Sequence, residues 1–503
     1  MTRISFDDLL ARVRQTRTGT DRPEIRTDSR RVGRGDVFVA VPGVAANGGA
    51  GVDGADFIPK AWAAGAGAVV CLPGRVDAAL ADAPEGSVVA VHDDPRAAIG
   101  LLGQARYGTD ALSFPVVAVT GTNGKTTITY LLEHVFSALG RRAGVLGTVS
   151  YRWPGFAMDA PLTTPDCIET HAMLARMQAA GVDVALMEVS SHALDQRRVA
   201  GIRFAGAILT NLTQDHLDYH GDMERYYAAK ARLFTELPDA DKACAVNADD
   251  AWGRRLLGEV PHAIGFGLEA APDGGEVVPG RRHLHGEMVR NDTSGLTLRM
   301  TFEGRQWELS SHFIGAHNAS NLLAVQAVCL GMGLAPEDFA SLADFAGVPG
   351  RLERIVNPRG LDIFVDYAHT PDALENVLRA LRAVGFARIV TVFGCGGNRD
   401  RTKRPLMGQA VARYADVAVL TSDNPRHEDP ESIMADVLPG LAGAREVVSD
   451  PDRARAIGKA LALLRPGDAL LVAGKGHESY QQIGDRKVPY SDQQVIREIL
   501  GCN

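Results

Sequence analysis

The sequence predicts an α/β protein with three domains. Its 503 residues exceed what one hydrophobic core usually serves. Strand-like and helix-like segments alternate along the chain, which is typical of parallel sheets covered on both faces. Four apolar runs in the last third each end in polar or glycine residues. We place the domains at residues 1–108, 109–346 and 347–503.

Composition excludes several classes of protein. Acidic residues number 61 against 53 basic ones, a formal charge of -8, which gives no general attraction to nucleic acid or to anionic membranes. The six cysteines are scattered without metal-ligand spacing, so we interpret them as packing residues of a reduced intracellular protein. The start, MTRISFDDLLARV, carries acids where a signal peptide needs an apolar run. We therefore expect a cytoplasmic protein without membrane insertion or nucleic-acid binding.

The first block is a small α/β unit. GDVFVAVPG predicts a strand entered from a Gly-Asp turn, followed by a helix near residues 56–64 that Gly65 ends. The run AVVC predicts a second strand. The polar stretch YGTDALSFP marks the boundary to the next domain.

The second block opens on VVAVTGTNGKTTITYLLEHV, residues 116–135, which predicts a buried strand, a glycine turn and a helix. A phosphate loop needs glycines that let backbone N–H groups approach phosphate, a lysine that neutralises charge and a hydroxyl that ligates magnesium. Gly121, Gly124, Lys125 and Thr126 fit these roles. The general signature has an earlier glycine where this chain has Val119, so a plain strand–helix turn with an exposed lysine stays an alternative.

Further polar groups of the second block suit triphosphate chemistry. Glu188 ends the run VDVALMEV, where it would bind magnesium or else be a buried salt-bridge partner. Asn318 and Asn321 lie three apart in GAHNASNLLAVQAV, either to read a base edge or, for Asn318, to cap the helix. The segment TNLTQDHLDYHGDMERYYAAKARLF is either a site or a polar, aromatic-rich surface. Its ionisable residues are Asp215, His216, Asp218, His220 and Lys230.

The block also contains an antiparallel insertion. Apolar residues from Leu296 to Phe302 alternate with polar ones before a Glu303-Gly304 turn and the run RQWEL. We interpret this insertion as structural.

The third block has four strand-like runs: LDIFVDYAHTP, RIVTVFGCGG, DVAVLTSDNPR and DALLVAGKGHE. In open α/β sheets, ligands bind beyond the carboxyl ends of the strands. The four polar ends therefore predict one shared site.

These segments resemble the Mur ligase family, the ATP-dependent enzymes that build the peptide of bacterial cell-wall precursors. The likeness covers the whole chain through TGTNGKT, MEVSSHALDQRR, TNLTQDHLDYHG, AAKARLF, HNASNLLAV, GRLE, DYAHTPDAL, GCGGNRDRTKRPLMG, DNPR and AGKGHE, in that order. The family's phosphate motif is TGTNGKT, which accounts for the incomplete general signature. The resemblance implies an N-terminal uridine-nucleotide domain, a central phosphate-loop ATPase domain and a C-terminal Rossmann-like domain that brings an amino acid.

The resemblance implies ATP as co-substrate and Mg²⁺ as cofactor. Thr126 and Glu188 would hold the ion that bridges the ATP phosphates, and a carbamylated Lys230 with His216 would help to bind a second. Lys125 and Lys230 are the catalytic candidates, and the role of His369 stays open. The implied ATP site comprises Gly121, Thr122, Asn123, Gly124, Lys125, Thr126, Thr127, Asn318, Asn321, Arg351 and Asp366.

The same resemblance implies a nucleotide-sugar-peptide site. The segment VAANG departs from the more polar version expected of the family there. The implied residues are Thr27, Ser29, Val44, Ala45, Ala46, Leu162, Thr163, Thr164, Ser190, Gln196 and Arg198.

The choice of amino acid depends on SDNPRHEDP. A turn started by Asp-Asn-Pro is the ordinary interpretation. Arg426, however, carries a guanidinium that grips a carboxylate through two parallel hydrogen bonds, which suits an amino acid with a far carboxylate and a far amine. The loop resembles that of the diaminopimelate-adding members. The implied contacts are Arg399, Asp423, Asn424, Pro425, Arg426, Gly474 and Glu478.

We therefore expect an ATP-dependent amide ligase, a monomer, that adds meso-2,6-diaminopimelate to the D-Glu γ-carboxylate of UDP-MurNAc-L-Ala-D-Glu through an acyl phosphate. The product would serve peptidoglycan synthesis, and thereby cell shape and division. A lysine-adding member of the family, a folate polyglutamate synthetase and a phosphate-loop ATPase without ligase activity are the alternatives.

Overall fold

The computed structural model describes residues 2–16, 22–43, 52–236, 242–269 and 282–502. The chain divides into two compact units, one formed by Met1–His283 with Ala324–Phe339 and the other by Leu284–Leu323 with Ala340–Asn503. Each unit combines parallel sheets with helices, which confirms the α/β class. The division into three domains at residues 108 and 346 stays a prediction.

The first unit begins with a five-stranded parallel sheet, in the order β1-β5-β4-β3-β2. Both strands predicted in the first block are present. The predicted helix starts with a 3₁₀ turn at Gly54–Phe57 and continues as an α-helix. The strands are β1 (Thr2–Ile4), β2 (Ile25–Arg26), β3 (Val37–Val39), β4 (Ala68–Cys71) and β5 (Val88–Val91), and the helices are α1 (Phe6–Thr16), α2 (Ile58–Ala63), α3 (Val76–Ala81) and α4 (Pro95–Tyr107).

A second sheet of the first unit carries the predicted phosphate loop. Its strands are β6 (Val116–Thr120), β7 (Ala143–Leu146), β8 (Ser150–Trp153), β9 (Phe156–Asp159), β10 (Val184–Glu188), β11 (Gly206–Leu209), β12 (Ala243–Asn247) and β13 (Ile264–Gly267). Its helices are α5 (Lys125–Ala138), α6 (Cys167–Ala179), α7 (Ser191–Asp195), α8 (Leu217–His220), α9 (Met223–Thr235) and α10 (Ala251–Glu259). The order is β13-β12-β11-β6-β10-β7-β8-β9, parallel as far as β7. Because β6 lies between β10 and β11, residues after all three strands reach the loop.

A buried histidine of α6, a helix of the second sheet, packs against α4, a helix of the first sheet. His171 is fully buried, and its Nε2 lies 3.0 Å from the Ala200 carbonyl oxygen while its Nδ1 lies 2.5 Å from the Thr109 hydroxyl. The ring packs against Gly103, where a Cβ would lie 2.4 Å from His171 Cδ2. Burial lowers the pKa of His171 to about 4, so the ring is neutral in the folded protein.

We expect this histidine to make the first unit less stable in acid. Between its folded pKa of about 4 and its ordinary value of 6.5, the unfolded chain binds a proton that the folded one does not, so stability falls as pH falls. At about pH 5 the loss from this group is about 2 kcal/mol relative to neutral pH. Urea unfolding at both pH values should show a smaller acid loss for His171→Gln than for the unmodified protein. An unchanged pH dependence would contradict the assignment.

In the second unit, from Leu284 onward, three consecutive strands pair antiparallel: β14 (His283–Asp292), β15 (Gly295–Phe302) and β16 (Arg305–Ser311). Leu296, Leu298 and Met300 are buried, and the turn uses positive φ at Glu303 (47°) and Gly304 (78°). The predicted antiparallel insertion is thus confirmed. Helix α11 (Ala316–Gly331) follows it in the chain.

The last sheet has six strands in the order β17-β18-β22-β19-β20-β21. The four predicted apolar runs are its adjacent parallel strands β18, β22, β19 and β20, so their polar ends meet at one edge as expected. The strands are β17 (Glu353–Arg354), β18 (Asp362–Asp366), β19 (Ile389–Phe393), β20 (Val417–Leu420), β21 (Val447–Ser449) and β22 (Ala469–Ala473), with a separate hairpin β23 (Tyr480–Ile483) and β24 (Arg486–Pro489). The helices are α12 (Pro371–Val384), α13 (Lys403–Tyr414), α14 (Pro430–Val437), α15 (Arg453–Leu463) and α16 (Asp492–Leu500).

Two further sequence interpretations concern the cysteines and membrane insertion. All six cysteines are free, and five are buried, as packing residues should be. In the described ranges, none of the helices combines the length and the apolar character needed to cross a bilayer.

Candidate active site

The phosphate loop lies where the sequence places it, between β6 and α5. Gly121 has φ 144° and Gly124 has φ 88°, a backbone region that favours glycine. A Cβ on Gly121 would lie 1.8 Å from the Thr210 hydroxyl, which itself donates to the Asn123 carbonyl (2.5 Å). The Asn123 amide donates to Asn211 Oδ1 at 3.0 Å. The residues after β11 thus hold the loop open at the start of α5, the geometry that binds phosphate through backbone N–H groups.

Two lysines converge on one carbonyl of this loop. Lys125 Nζ donates to the Gly121 carbonyl at 2.9 Å and to that of Thr122 at 2.8 Å. Lys230, from α9, also donates to the Gly121 carbonyl at 2.9 Å, although it is 109 residues away in the sequence. Lys230 is fully buried, and this burial, with Lys125 nearby, holds its pKa well below the ordinary value for lysine. Burial therefore disfavours the charged form of this amine, which is in contact with the predicted phosphate loop.

Glu188 at the end of β10 is a buried carboxylate, 1% exposed. Thr126 Oγ1 donates to Glu188 Oε2 at 3.1 Å, and Thr148 donates through its hydroxyl to Oε2 (2.7 Å) and through its amide to Oε1 (3.0 Å). In the described part of the chain Glu188 pairs with no basic side chain, so the salt-bridge interpretation is wrong. A buried carboxylate beside a hydroxyl fits a hard cation such as Mg²⁺.

The described ranges contain no cluster of three or more His, Cys, Asp or Glu side chains that could hold a metal by themselves. Mg²⁺ commonly takes one or two carboxylates together with waters and substrate phosphates. The pair of Thr126 and Glu188 meets that requirement.

Near Lys230 lies a group of histidines and tyrosines, formed by the segment predicted to be either a site or a surface together with His192 of α7. His216 has φ 53°, and its ring Nε2 lies 3.3 Å from Asp215 Oδ2. The His192 ring is 4.7 Å from that of His216 and 4.2 Å from that of Tyr219. Burial lowers the pKa of His216 and brings that of His192 to about 4. His216 is thus a neutral imidazole, the form that ligates metals.

The residues predicted for the sugar-peptide substrate adjoin Glu188. Thr164 Oγ1 donates to the Glu188 carbonyl at 2.9 Å and accepts from the Ser190 amide at 3.1 Å. Arg198 donates to Gln196 Oε1 at 2.7 Å and to the Thr164 carbonyl at 3.3 Å.

The other residues predicted for the sugar-peptide substrate lie in separate parts of the chain. Thr163 Oγ1 lies 3.2 Å from Thr148 Oγ1, and Leu162 is 45% exposed. In the first sheet's domain, Thr27 is exposed and Ser29 begins a short 3₁₀ turn. Val44, Ala45 and Ala46 lie outside the described residues.

In the second unit, Arg399 and Arg426 both lie next to Gly396, at the carboxyl edge of the last sheet. A Cβ on Gly396 would lie 2.9 Å from Arg426 Nη1 and 3.7 Å from Arg399 Cγ. Arg426 donates to the Gly397 carbonyl at 2.8 Å. Its Nε and Nη2, and the whole Arg399 guanidinium, have no hydrogen-bond partner among the described residues. Both side chains therefore have donors available for a carboxylate.

The same edge presents two carboxylates. Asp423 Oδ2 is buried without a hydrogen-bond partner in the described ranges, and it faces Gly474, where a Cβ would lie 2.6 Å away. Glu478 accepts at Oε2 from Asn424 Nδ2 (2.9 Å) and from Lys475 Nζ (3.2 Å). Pro425 connects Asn424 to Arg426. Two arginines with donors available and two carboxylates with an oxygen available fit the charged groups of a diamino diacid.

Four of the residues predicted to contact the nucleotide lie in the second unit: Asn318, Asn321, Arg351 and Asp366. Asp366, buried, accepts from the amides of Leu352 (2.6 Å) and Ala368 (2.7 Å), and burial raises its pKa. Arg351 lies over the Tyr367 ring at 4.9 Å, and its Nε is buried without a partner among the described residues.

The two asparagines form a buried amide pair. Asn321 Nδ2 donates to Asn318 Oδ1 at 3.3 Å, and Asn318 Nδ2 donates to the Ile314 carbonyl at 3.1 Å. Since α11 begins at Ala316, Asn318 lies inside its first turn and is not the cap. The capping alternative is therefore wrong.

Comparison with known proteins identifies the family of this chain. Residues 119–329 match the Mur ligase middle domain, and residues 350–476 match the Mur ligase glutamate ligase domain. The chain is 58% identical over 476 residues to the UDP-N-acetylmuramoyl-L-alanyl-D-glutamate--2,6-diaminopimelate ligase of Lawsonia intracellularis, covering 95% of each. The chain belongs to the Mur ligase family.

Other Mur ligases and a related synthase extend the comparison. The Aquifex aeolicus enzyme of the same name is 41% identical and covers 95% of this chain and 93% of its own. A solved structure of a ligase with that name superposes with a TM-score of 0.67 at 31% identity, over 95% and 94% of the two chains. Folylpolyglutamate synthase of Mycobacterium tuberculosis gives a TM-score of 0.60 at 19% identity, over 81% of this chain and 95% of its own, and so shares the fold.

Some residues of this Mur ligase site have no counterpart among the predictions. Thr148 and Thr210 support Glu188 and the loop, but single threonines in strand-end turns carry no sequence signal. Lys475 lies in the quoted motif AGKGHE, which could have indicated it. Hairpin β23–β24 contacts the SDNPR loop, residues 422–426, through backbone hydrogen bonds, since the Arg426 amide donates to the Gln482 carbonyl at 3.0 Å.

Proposed function

We propose that this chain is an ATP-dependent ligase that joins meso-2,6-diaminopimelate to the γ-carboxylate of D-Glu in UDP-MurNAc-L-Ala-D-Glu. The observation that carries the proposal is the charge pattern at the carboxyl edge of the last sheet, in a chain so similar to ligases named for this reaction. Arg399 and Arg426 offer donors to carboxylates, and Asp423 and Glu478 offer oxygens to ammonium groups. Lysine lacks the second carboxylate that this pattern would bind.

The chemistry follows from the weakness of a carboxylate as an electrophile. Transfer of the ATP γ-phosphoryl group to the D-Glu γ-carboxylate forms an acyl phosphate. The amine of the incoming amino acid then attacks the acyl carbon and loses a proton, and inorganic phosphate leaves.

Each step would use residues of this chain. Lys125 would offset charge on the transferring phosphoryl group, and the loop amides would bind the other phosphates. Thr126 and Glu188 would hold magnesium, which when bound supplies positive charge to the phosphate oxygens. Hydrogen bonds lead from Glu188 through Thr164 to Ser190, and from Glu188 through Thr148 to Thr163. This continuity supports an acceptor carboxylate bound next to the phosphate loop.

Several finer features of the proposal are those that the resemblance to the Mur ligase family implies. Lys230 would be carbamylated and would bind a second magnesium ion with His216. Asn318, Asn321, Arg351 and Asp366 would contact the nucleotide. We expect the protein to work as a monomer in the cytoplasm.

Phosphate release with purified UDP-MurNAc-L-Ala-D-Glu tests the function. Release should require both the sugar dipeptide and meso-diaminopimelate, and mass spectrometry should find the tripeptide product. A preference for lysine would favour the lysine-adding alternative. Hydrolysis that is independent of any amino acid would favour a plain ATPase, and activity without the nucleotide sugar would favour the folate class.

A further inference from the structure

Lys475 is a fully buried lysine at the proposed amino-acid site, outside the set of residues expected to contact substrate. It follows β22 directly after Gly474 and is 0% exposed. Its Nζ donates to Asn424 Oδ1 at 3.0 Å and to Glu478 Oε2 at 3.2 Å. A lysine is almost never buried unless its charge is paired, so these two contacts define its role.

The same contacts fix the orientation of the Asn424 amide. Asn424 Oδ1 accepts from Lys475 and also from the Gln482 amide at 2.9 Å. A flipped amide would turn its NH₂ group toward both donors, which excludes that orientation. Asn424 Nδ2 therefore faces Glu478 Oε2, to which it donates at 2.9 Å.

Glu478 is held by one oxygen only. Its Oε2 accepts from Asn424 and from Lys475, whereas its Oε1 has no hydrogen-bond partner among the described residues. The side chain is 17% exposed, so the carboxylate still reaches solvent. One oxygen is thus committed to the protein and the other is available to a ligand.

Lys475 also balances charge before substrate arrives. Glu478 is at the same edge of the sheet as Asp423, a second carboxylate whose buried Oδ2 has no hydrogen-bond partner in the described ranges. With the Lys475 ammonium in place, the Glu478 carboxylate is kept in one position and part of its charge is compensated. Pre-ordered groups of this kind reduce the entropy lost when a ligand binds.

We propose that Lys475 is a positioning residue that sets amino-acid affinity by holding Asn424 and directing Glu478 Oε1 toward an ammonium group of the incoming diamino acid. The inference rests on the proposed function and goes beyond it by assigning a role to a residue that does not itself touch substrate.

Lys475→Met tests the proposal, because it keeps the length of the side chain and removes its charge. We expect the KM for meso-diaminopimelate to rise about tenfold or more, with little change in kcat or in the KM for ATP. Glu478→Gln should raise the same KM, and the double variant should have the KM of Glu478→Gln alone, because Lys475 acts through Glu478. Leu461→Ala, in the core of the same sheet domain, is the control: it should lower the melting temperature without changing that KM.

The possible results distinguish a failure of this inference from a failure of the proposed ligase function. An unchanged KM in Lys475→Met, or additive effects in the double variant, overturns the positioning role while the ligase function stands. If the unmodified protein forms no product with diaminopimelate, both are overturned. If Lys475→Met does not fold, Asn424→Ala takes its place, because it removes the other donor to Glu478 Oε2. This variant should raise the KM for meso-diaminopimelate, and combining it with Glu478→Gln should raise that KM no further. Additive effects of these two substitutions would overturn the proposal.

Discussion

Lys230→Ala is expected to lower the rate of tripeptide synthesis about a thousandfold, the scale seen when a group that stabilises transition-state charge is removed. In the folded protein Lys230 is buried against the Gly121 carbonyl of the phosphate loop. Its lowered pKa favours the neutral amine, which is the form that attacks carbon dioxide and loses a proton to give a carbamate. The variant loses both the loop contact and the anion that would bind a second magnesium ion with His216.

The measurement combines kinetics with isotope labelling. In ¹³C-bicarbonate the unmodified protein should show a carbamate carbon signal that Lys230→Ala lacks. Lys242 is a matched control, since it is also buried and donates to a backbone carbonyl, that of Leu233 at 2.8 Å. Lys242→Ala should keep the signal and most of the activity. Near-normal synthesis by Lys230→Ala would show that the lysine is structural.

Arg426→Ala is expected to raise the KM for meso-diaminopimelate about a hundredfold, because it removes a charge-assisted contact to the far carboxylate. The ATP-binding residues of the first unit are unchanged, so the KM for ATP should stay the same. Lysine has no far carboxylate, so the low rate expected with lysine should not change. The preference for diaminopimelate over lysine should therefore nearly disappear. Competition between the two amino acids measures this directly.

Two further variants define the cause of that loss. Arg426→Lys keeps the charge but not the planar fork, so it should recover only part of the affinity. Arg445, which is 80% exposed in the same unit, provides the control, and Arg445→Ala should leave the preference intact. An unaltered preference in Arg426→Ala would mean that this loop does not select the amino acid.

The sequence predicted the local structure correctly where the signal comes from neighbouring residues. The phosphate loop, the strand that ends at Glu188 and the four strand ends of the last sheet all follow from apolar runs that stop at glycine or polar residues. The antiparallel insertion followed from strict alternation around Leu298 and a Glu-Gly turn. Short-range backbone geometry decides such features, so a single sequence contains them.

Other features depend on segments that are distant in the sequence. β1 has only three residues, Thr2–Ile4, and none is buried, so no pattern indicated a strand. Hairpin β23–β24 is mostly polar and was not predicted either. It nevertheless pairs with the SDNPR loop, where Arg426 has a left-handed backbone with φ 52°. Neither propensity nor periodicity reports such pairing.

By itself, the sequence determined the α/β class, the glycine turn between β6 and α5 and the strands that end in charged residues, because strand, turn and helix signals act over a few neighbouring residues. Only the tertiary structure decided which charges are paired and which are left for a ligand. Lys230 reaches Gly121 from 109 residues away, and Lys475 is buried between Asn424 and Glu478. Burial and hydrogen bonding set the charge and direction of these groups, and both arise only when distant segments pack together.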